Sequence, residues 1–503
     1  MKAAFKLASL LITLFPLVLS SCNKATPGGE TSEDKYIYIS AINDFHGAIY
    51  ENGDEMGLAK VGTYLKQQSD KPNTLVMSQG DDWQGSIYSN HNRGRLINDV
   101  YAYAKMDART IGNHDFDWGV NALKDNTKTG FDDYVTPVLA ANVYDYNFTT
   151  KEAGNIQQED IGQKSIIQTL ENGLKVGIVG VIGEDQITSI TSSYTRDICF
   201  INHIDVIKQE ANDLRKKGCD VVIAAVHSGS SSVLGKGLSS YVDLVLCGHT
   251  HRYERDNEDD LYFAQFGSYG HYIGDITLTY NTGKKKVTNT SIEVVDRYSI
   301  DEKIKETDPV IDSLIEQYKK ECEAEASEEL GYGVGYFNST EAAPNLMAKA
   351  IYERAVAEGQ GDIILSYVNQ ARNYIPYGTI TYANIYESFP FDNEICIVEV
   401  TGSDILYECR NYNNVYFNPS FDKKISRNQK YKIAVIDYLI YHVNKNRYYD
   451  YFSSFDDNVI MTLSANYRHI LRDWFRNSVN KTHYASDYSS ELDCFSRRTL
   501  TEI

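Results

Sequence analysis

Five times between residues 36 and 251, a short apolar run ends in a cluster of Asp, His or Asn. Tyr36–Ile42 leads into Asn43-Asp44-Phe45-His46, and Thr74–Ser78 into Gly80-Asp81-Asp82. Ala108–Ile111 leads into Gly112-Asn113-His114-Asp115-Phe116-Asp117. Asp220–Val226 ends at His227, and Leu244–Cys247 at Gly248-His249-Thr250-His251. Short apolar runs separated by helical stretches, such as Ile204–Lys217, predict a layered α/β domain with helices packed around sheets. Val138–Val143 and Lys175–Ile182 are further runs of this kind, while Tyr262–Phe266 and Tyr272–Tyr280 alternate like antiparallel strands. Loops that follow the carboxyl ends of strands in α/β sheets converge on a ligand site. The pattern therefore calls for a fold that brings five polar loops to one place.

The residue types in those loops point to metal chemistry. Asp, His and Asn together suit borderline ions such as Zn, Mn, Fe or Co. The lack of Cys among them argues against a closed structural zinc site. A shared Asp carboxylate can bridge two ions about 3.5–4 Å apart, the spacing that two-metal hydrolases use. A lone Asp-x-His or Gly-Asp is common and usually structural. Five such pieces in one order, each after a strand, are far less so.

The chain has 503 residues, enough for two or three domains. Its formal net charge of −20 repels polyanions and argues against a general nucleic-acid binder. A small phosphate substrate is compatible with that charge, because bound divalent ions can reverse the local sign. The eight cysteines include no CxxC pair, which disfavours a zinc ribbon or a redox dithiol. Those in apolar runs, such as Cys247, are expected to be buried free thiols.

The first 22 residues read as a targeting segment. Lys2 and Lys6 precede the apolar stretch Leu7–Leu19, which is too short for an ordinary membrane span. Leu19-Ser20-Ser21-Cys22 resembles a bacterial lipobox, which implies cleavage before Cys22 and its lipidation. The protein is then expected outside the cytoplasm, anchored by lipid to a bacterial membrane. Residues 23–34, rich in Thr, Ser, Gly and acids, read as a tether.

Taken together, the five motifs resemble those of the calcineurin-like metallophosphoesterases. Gly80-Asp81-Asp82-Trp83-Gln84-Gly85-Ser86, Gly112-Asn113-His114-Asp115-Phe116-Asp117 and Gly248-His249-Thr250-His251 look like the 5′-nucleotidase and UDP-sugar hydrolase branch. The resemblance implies a four-layer α/β/β/α catalytic domain over residues 35–298. A connecting helix over 299–330 would follow, starting near Pro309, and then an α+β C-terminal substrate-binding domain over 331–503. It implies two divalent ions, with Asp44, His46, Asp81 and His251 holding one and Asp81, Asn113, His227 and His249 the other. It also implies that His114 and Asp117 form a catalytic pair that does not ligate metal, and that Asn113 reaches the substrate as well. The implied reaction is hydrolysis of a phosphate ester, nucleotide-like by family, by metal-bound hydroxide. The sequence leaves room for a surface lipoprotein that binds phosphorylated ligands without turnover, or for a cyclic-nucleotide or sugar-nucleotide phosphodiesterase.

The resemblance thins in the C-terminal domain. Arg372 matches a phosphate-contacting arginine, and Phe391, in Phe389-Pro390-Phe391-Asp392-Asn393, matches one of two aromatics that sandwich the base. The arginine expected before the helix at Ala342 is missing from Phe337-Asn338-Ser339-Thr340-Glu341. The Gly-Gly-Asp-Gly loop that carries the second aromatic is also missing. In its place, after Tyr431–Tyr441, which looks like a strand, stands a run from His442 to Phe452, with Tyr448, Tyr449 and Phe452 as candidates for the second ring. Weakened base recognition is the expectation from these departures.

Overall fold

The expected strands form, with their ends adjusted by local chemistry. The structure, a computed structural model, describes residues 32–411 and 414–503. Cys22, the targeting segment and nearly all of the tether lie outside the described residues. Asp34–Ile42, Thr74–Ser78, Ala108–Thr110 and Val138–Leu139 are parallel neighbours, and Ile273–Asn281 and Lys286–Val295 extend their sheet antiparallel to six strands. A second six-stranded sheet runs in the order Tyr253–Glu258, Leu261–Phe266, Leu244–Cys247, Val221–His227, Lys175–Ile182, Ser165–Thr169. The run Val138–Val143 is split at Asn142. Its side-chain amide donates to the carbonyls of Ile182 and Ile201 and accepts from the amide of Ile182, which ties the chain to the second sheet.

Three apolar layers define four structural ones. Ile37, Ile39, Leu75 and Met77 meet Val176, Ile178, Ile223 and Leu246 between the two sheets. On the outer side of the first sheet, Ile42 and Val76 pack with Val61 and Leu65 of helix Gly57–Ser69, Val100 of helix Arg95–Tyr103, and Ile311 and Leu314 of helix Pro309–Ala326. On the outer side of the second, Val179, Val222 and Val245 pack with Ile207, Ala211 and Leu214 of helix His203–Lys216. Neighbours such as Val222 and Ile223 point to opposite faces, as the period of two in a strand requires. Both faces are covered, so these strands are apolar throughout.

The stretch expected as one connecting helix is two. Arg297–Lys303 ends before Asp308, whose carboxylate caps the amide of Val310, and Pro309 opens the helix to Ala326. The C-terminal part holds a mixed five-stranded sheet in the order Asn414–Phe417, Leu365–Val368, Lys430–Ile436, Ile395–Thr401, Val459–Thr462. Helix Ala342–Ala357 covers it through Leu346 and Ile351. The strand expected over Tyr431–Tyr441 stops at Ile436. Asp437, a poor strand former whose carboxylate accepts from the amide of Tyr438, turns the chain into the short helix Asp437–Tyr441. The seven described cysteines are free thiols, and Cys247 is fully buried.

Candidate metal centre

All five polar loops meet at the carboxyl ends of the central strands of the two sheets. Asp44, His46 and His251 present donor atoms within 4.8 Å of one another, and Asp81, His227 and His249 form a second group of the same kind. Oδ2 of Asp81 lies 3.2 Å from Nε2 of His227 and 3.9 Å from Nε2 of His46, so this carboxylate stands between the groups. Oδ1 of Asn113 lies 3.1 Å from Nε2 of His227 and 2.9 Å from Nδ1 of His249, which adds it to the second group.

The backbone in these loops is held in an unfavourable conformation. Asp44, His46, Asp81, His249 and His251 all have positive φ, between 47° and 73°. Non-glycine residues seldom adopt that region, and each such residue costs about 1–3 kcal/mol. Packing leaves little freedom for relief: a Cβ at Gly112 would stand 2.1 Å from Oδ1 of Asp81. The amide of His114 donates to that oxygen (2.8 Å), and the amide of His249 donates to Asp44 (2.8 Å).

The rings are oriented from behind. Nδ1 of His46 donates to the carbonyl of Gln84 (2.8 Å) and Nδ1 of His227 to that of Gln79 (2.7 Å), which turns both Nε2 atoms to the centre. Nε2 of His46 faces Nε2 of His251 at 3.0 Å. Two ring nitrogens aimed at each other suit a shared cation. Burial holds His46, His249 and His251 below the usual histidine range, at about 4 for His249 and about 3 for His251. Neutral imidazoles are the ligating form. Burial also pushes the Asp44 carboxyl up to about 7. His227 goes the other way: against its burial, the Asp81 and Asp44 carboxylates raise it to about 10. Carboxylates, an amide oxygen and imidazoles, which ligate once deprotonated, make a donor set that fits two divalent ions.

His114 and Asp117 stand beside this centre. Nδ1 of His114 pairs with Oδ2 of Asp117 at 2.9 Å. Burial opposes a charge on His114, but Asp117 and Asp81 outweigh it and its pKa is raised. Arg372 reaches in from the C-terminal part. Its Nε donates to the hydroxyl of Tyr269 (3.2 Å), and a terminal nitrogen lies 3.2 Å from Nε2 of His46. The Phe391 ring stacks on His114 with centroids 5.5 Å apart and planes 24° apart. His114, Asp117, Asn113, His249, Arg372 and Phe391 all line one cavity of about 360 Å³.

Sequence reasoning missed a support beneath the ligands. Arg109 is fully buried, with its guanidinium 2.9 Å from Asp115, 3.3 Å from Asp82 and stacked on Trp83 at 3.9 Å. Asp115 also accepts from the amide of Gly112, and Asp82 from Ser78 and Tyr101. An Arg inside an apolar run, followed at short range by acids, was the available signal.

The candidates for a second aromatic are corrected. Tyr448 is 60% exposed beneath Lys151, Tyr449 bonds Asp457, and Phe452 is 1% exposed in the core. None of them lines the cavity that holds Phe391. Tyr194 and Tyr438 do. The spare rings of the rewritten loop pack on their own surroundings, and the rings that line the cavity with Phe391 come from Tyr194 of the N-terminal part and Tyr438 of the C-terminal part.

Comparison with known proteins agrees with this geometry. Residues 37–253 match the calcineurin-like phosphoesterase family, and residues 332–408 match the 5′-nucleotidase C-terminal domain. A Treponema pallidum (strain Nichols) protein named "Probable 5′-nucleotidase" is 24% identical over 473 residues, 77% of this chain and 77% of its own. A 5′-nucleotidase of Diplobatis ommata is 24% identical over 422 residues, 73% of this chain and 69% of its own. The crystal structure of a 5′-nucleotidase precursor from Thermus thermophilus shares the fold, with a TM-score of 0.70 at 16% identity over 90% of this chain and 99% of that one. The chain is a calcineurin-like metallophosphoesterase with a 5′-nucleotidase C-terminal domain. It is a metal-dependent hydrolytic enzyme acting on phosphate esters.

Proposed function

We propose that this enzyme removes phosphate from nucleoside monophosphates outside the cytoplasm, held at a membrane by lipid on Cys22. The observation that carries the chemistry is the Asp81 carboxylate standing between two donor groups, with His114 and Arg372 beside it. The nucleotide reading draws on the relatives named 5′-nucleotidase, and the location on the lipobox-like Leu19-Ser20-Ser21-Cys22.

Asp44, His46 and His251 would hold one ion, and Asn113, His227 and His249 the other, with Asp81 shared. When bound, the ions supply Lewis acidity to the phosphoryl oxygens and activate water. The chain's own groups do the rest. Arg372 offers guanidinium N–H groups to phosphoryl oxygens in a planar fork. Asp117 holds the His114 ring by Nδ1 and favours its charged form. Nε2 then carries a proton toward the leaving oxygen or stabilises the charge that develops there. Asn113, on the cavity wall, offers its amide to the phosphoryl group, and Phe391 supplies an apolar face for the organic group.

The test is phosphate release from AMP, a pyrimidine monophosphate and an aryl phosphate, with Mn or Zn present. The reading predicts higher kcat/KM for the nucleotides than for the aryl ester. Equal use of all three would limit the enzyme to unselective ester hydrolysis. Full metal occupancy with no ester cleaved would favour a binding protein.

A further inference from the structure

We infer that Tyr194, from the N-terminal domain, is the second aromatic wall for the substrate's flat organic group, and that Arg447 is the positioning residue that keeps it there. The inference rests on the nucleotide reading above.

The cavity beside His114 is walled by Phe391, Tyr438 and Tyr194. Tyr194 is half-buried, and among the described residues its hydroxyl has no hydrogen-bond partner. The amides of Asn369 and Gln370 on the same wall are also unpartnered there. An aromatic ring with neutral amides around it matches a heterocycle that has donors and acceptors on its edge, which is the chemistry of a nucleobase. Tyr194 also borders a second cavity of about 430 Å³, together with Arg196, Cys396, Asp437 and Tyr441. Tyr194 thus lines both spaces. Truncating it would remove an aromatic face from this side of the cavity.

The loop that carries Tyr194 is fastened to the C-terminal domain on both flanks. On one side the amide of Ser192 donates to the carbonyl of Tyr441 (3.1 Å). On the other, Arg447 donates to the carbonyls of Thr195 (3.2 Å) and Ile198 (2.9 Å), and its guanidinium stacks on Tyr146 at 4.5 Å. Arg447 lies in the rewritten run between His442 and Phe452. That run contributes no ring to the cavity. It clamps the catalytic-domain loop that does.

The experiment measures kcat and KM for AMP and for an aryl phosphate, and inhibition of aryl phosphate cleavage by adenosine. It compares the full chain with Tyr194→Ala, Tyr194→Phe, Arg447→Ala and Arg447→Lys. Stacking gives about 1–3 kcal/mol per base, or roughly 5- to 150-fold. Tyr194→Ala should therefore lower the AMP-to-aryl ratio of kcat/KM by on the order of 10- to 100-fold, mainly through KM, and weaken adenosine inhibition in step. Tyr194→Phe should keep most of both. Arg447→Ala should move the same two quantities in the same direction by less, and Arg447→Lys, which can still donate to the two carbonyls, should restore part. Tyr448→Ala, on the exposed ring of the same run, should leave all of them unchanged. An unchanged ratio and unchanged adenosine inhibition in Tyr194→Ala would overturn the proposal. So would an equal loss for AMP and the aryl ester, which would mark structural damage. Failure of the nucleotide reading would show already in the parent, as no preference for AMP and no inhibition by adenosine.

Discussion

Nδ1 of His114 lies 2.9 Å from Oδ2 of Asp117, so the ring is held by one nitrogen and the other is left for the cleft. Neither residue belongs to the two donor groups. His114→Ala should therefore keep its metal and lose turnover, by about 10²–10⁴-fold for a general acid–base group. Asp117→Asn should lose less, since it weakens only the orientation and charge of the ring. Metal content and kcat measured on the same preparations decide this. Loss of metal together with turnover in His114→Ala would place the residue among the ligands.

Arg109 carries the second prediction. It is enclosed with Asp82 and Asp115, and removing the cation leaves two buried carboxylates facing each other. Breaking a buried ion cluster by taking one partner costs about 3–5 kcal/mol. Arg109→Ala should lower the denaturant midpoint accordingly and loosen metal binding, because Asp82 directly follows Asp81 and Asp115 lies two residues after Asn113. A midpoint equal to the parent's would show that the cluster supports nothing.

Much of this site is legible in the amino-acid order alone, for a physical reason. Metal chemistry demands particular side chains, and a parallel strand ends in a loop at a predictable place. Asp44, Asp81, Asn113, His227 and His249 can therefore be picked out by what precedes them. The helix start at Pro309 is legible for a similar local reason, since proline has no amide to lose. What cannot be read that way depends on distant packing. The positive φ of Asp44 and His251 follows from neighbours far away in sequence. Tyr194 sits in an ordinary loop, and the residues its loop bonds to, Tyr441 and Arg447, lie about 250 positions away. The run after Tyr441 resembles a pocket because it is rich in rings, yet those rings pack against Tyr441, Phe455 and Lys151.

Asp437 gives a pH dependence of stability. Burial pushes its carboxyl up from 3.8 to about 7. Between those values the unfolded chain has lost the proton and the folded chain keeps it, so raising the pH favours unfolding. The contribution is fully present below about 3.8 and is lost as pH rises through about 7. One such group changes stability by at most about 1.4 kcal/mol per pH unit. Asp437→Asn should flatten that part of the stability profile. An identical slope in parent and variant between pH 5 and pH 7, on the order of the full window, would contradict the assignment.

Cys22→Ser tests the location. The lipobox-like motif predicts that the parent partitions with membranes and takes up labelled fatty acid. The variant should appear in the soluble extracytoplasmic fraction or keep its leader. A parent chain found soluble and free of lipid would refute the anchor while leaving the chemistry untouched.

The central claim is that Asp81 joins two metal sites into one centre, and elemental analysis of the purified chain tests it most directly. Asp81 stands 3.2 Å from His227 and 3.9 Å from His46, one from each donor group. Without it neither group keeps its full set of ligands. The parent should hold two divalent ions per chain after dialysis and release phosphate from esters. Asp81→Ala should lose both ions and the activity with them. Two tightly held ions retained in Asp81→Ala would contradict the account.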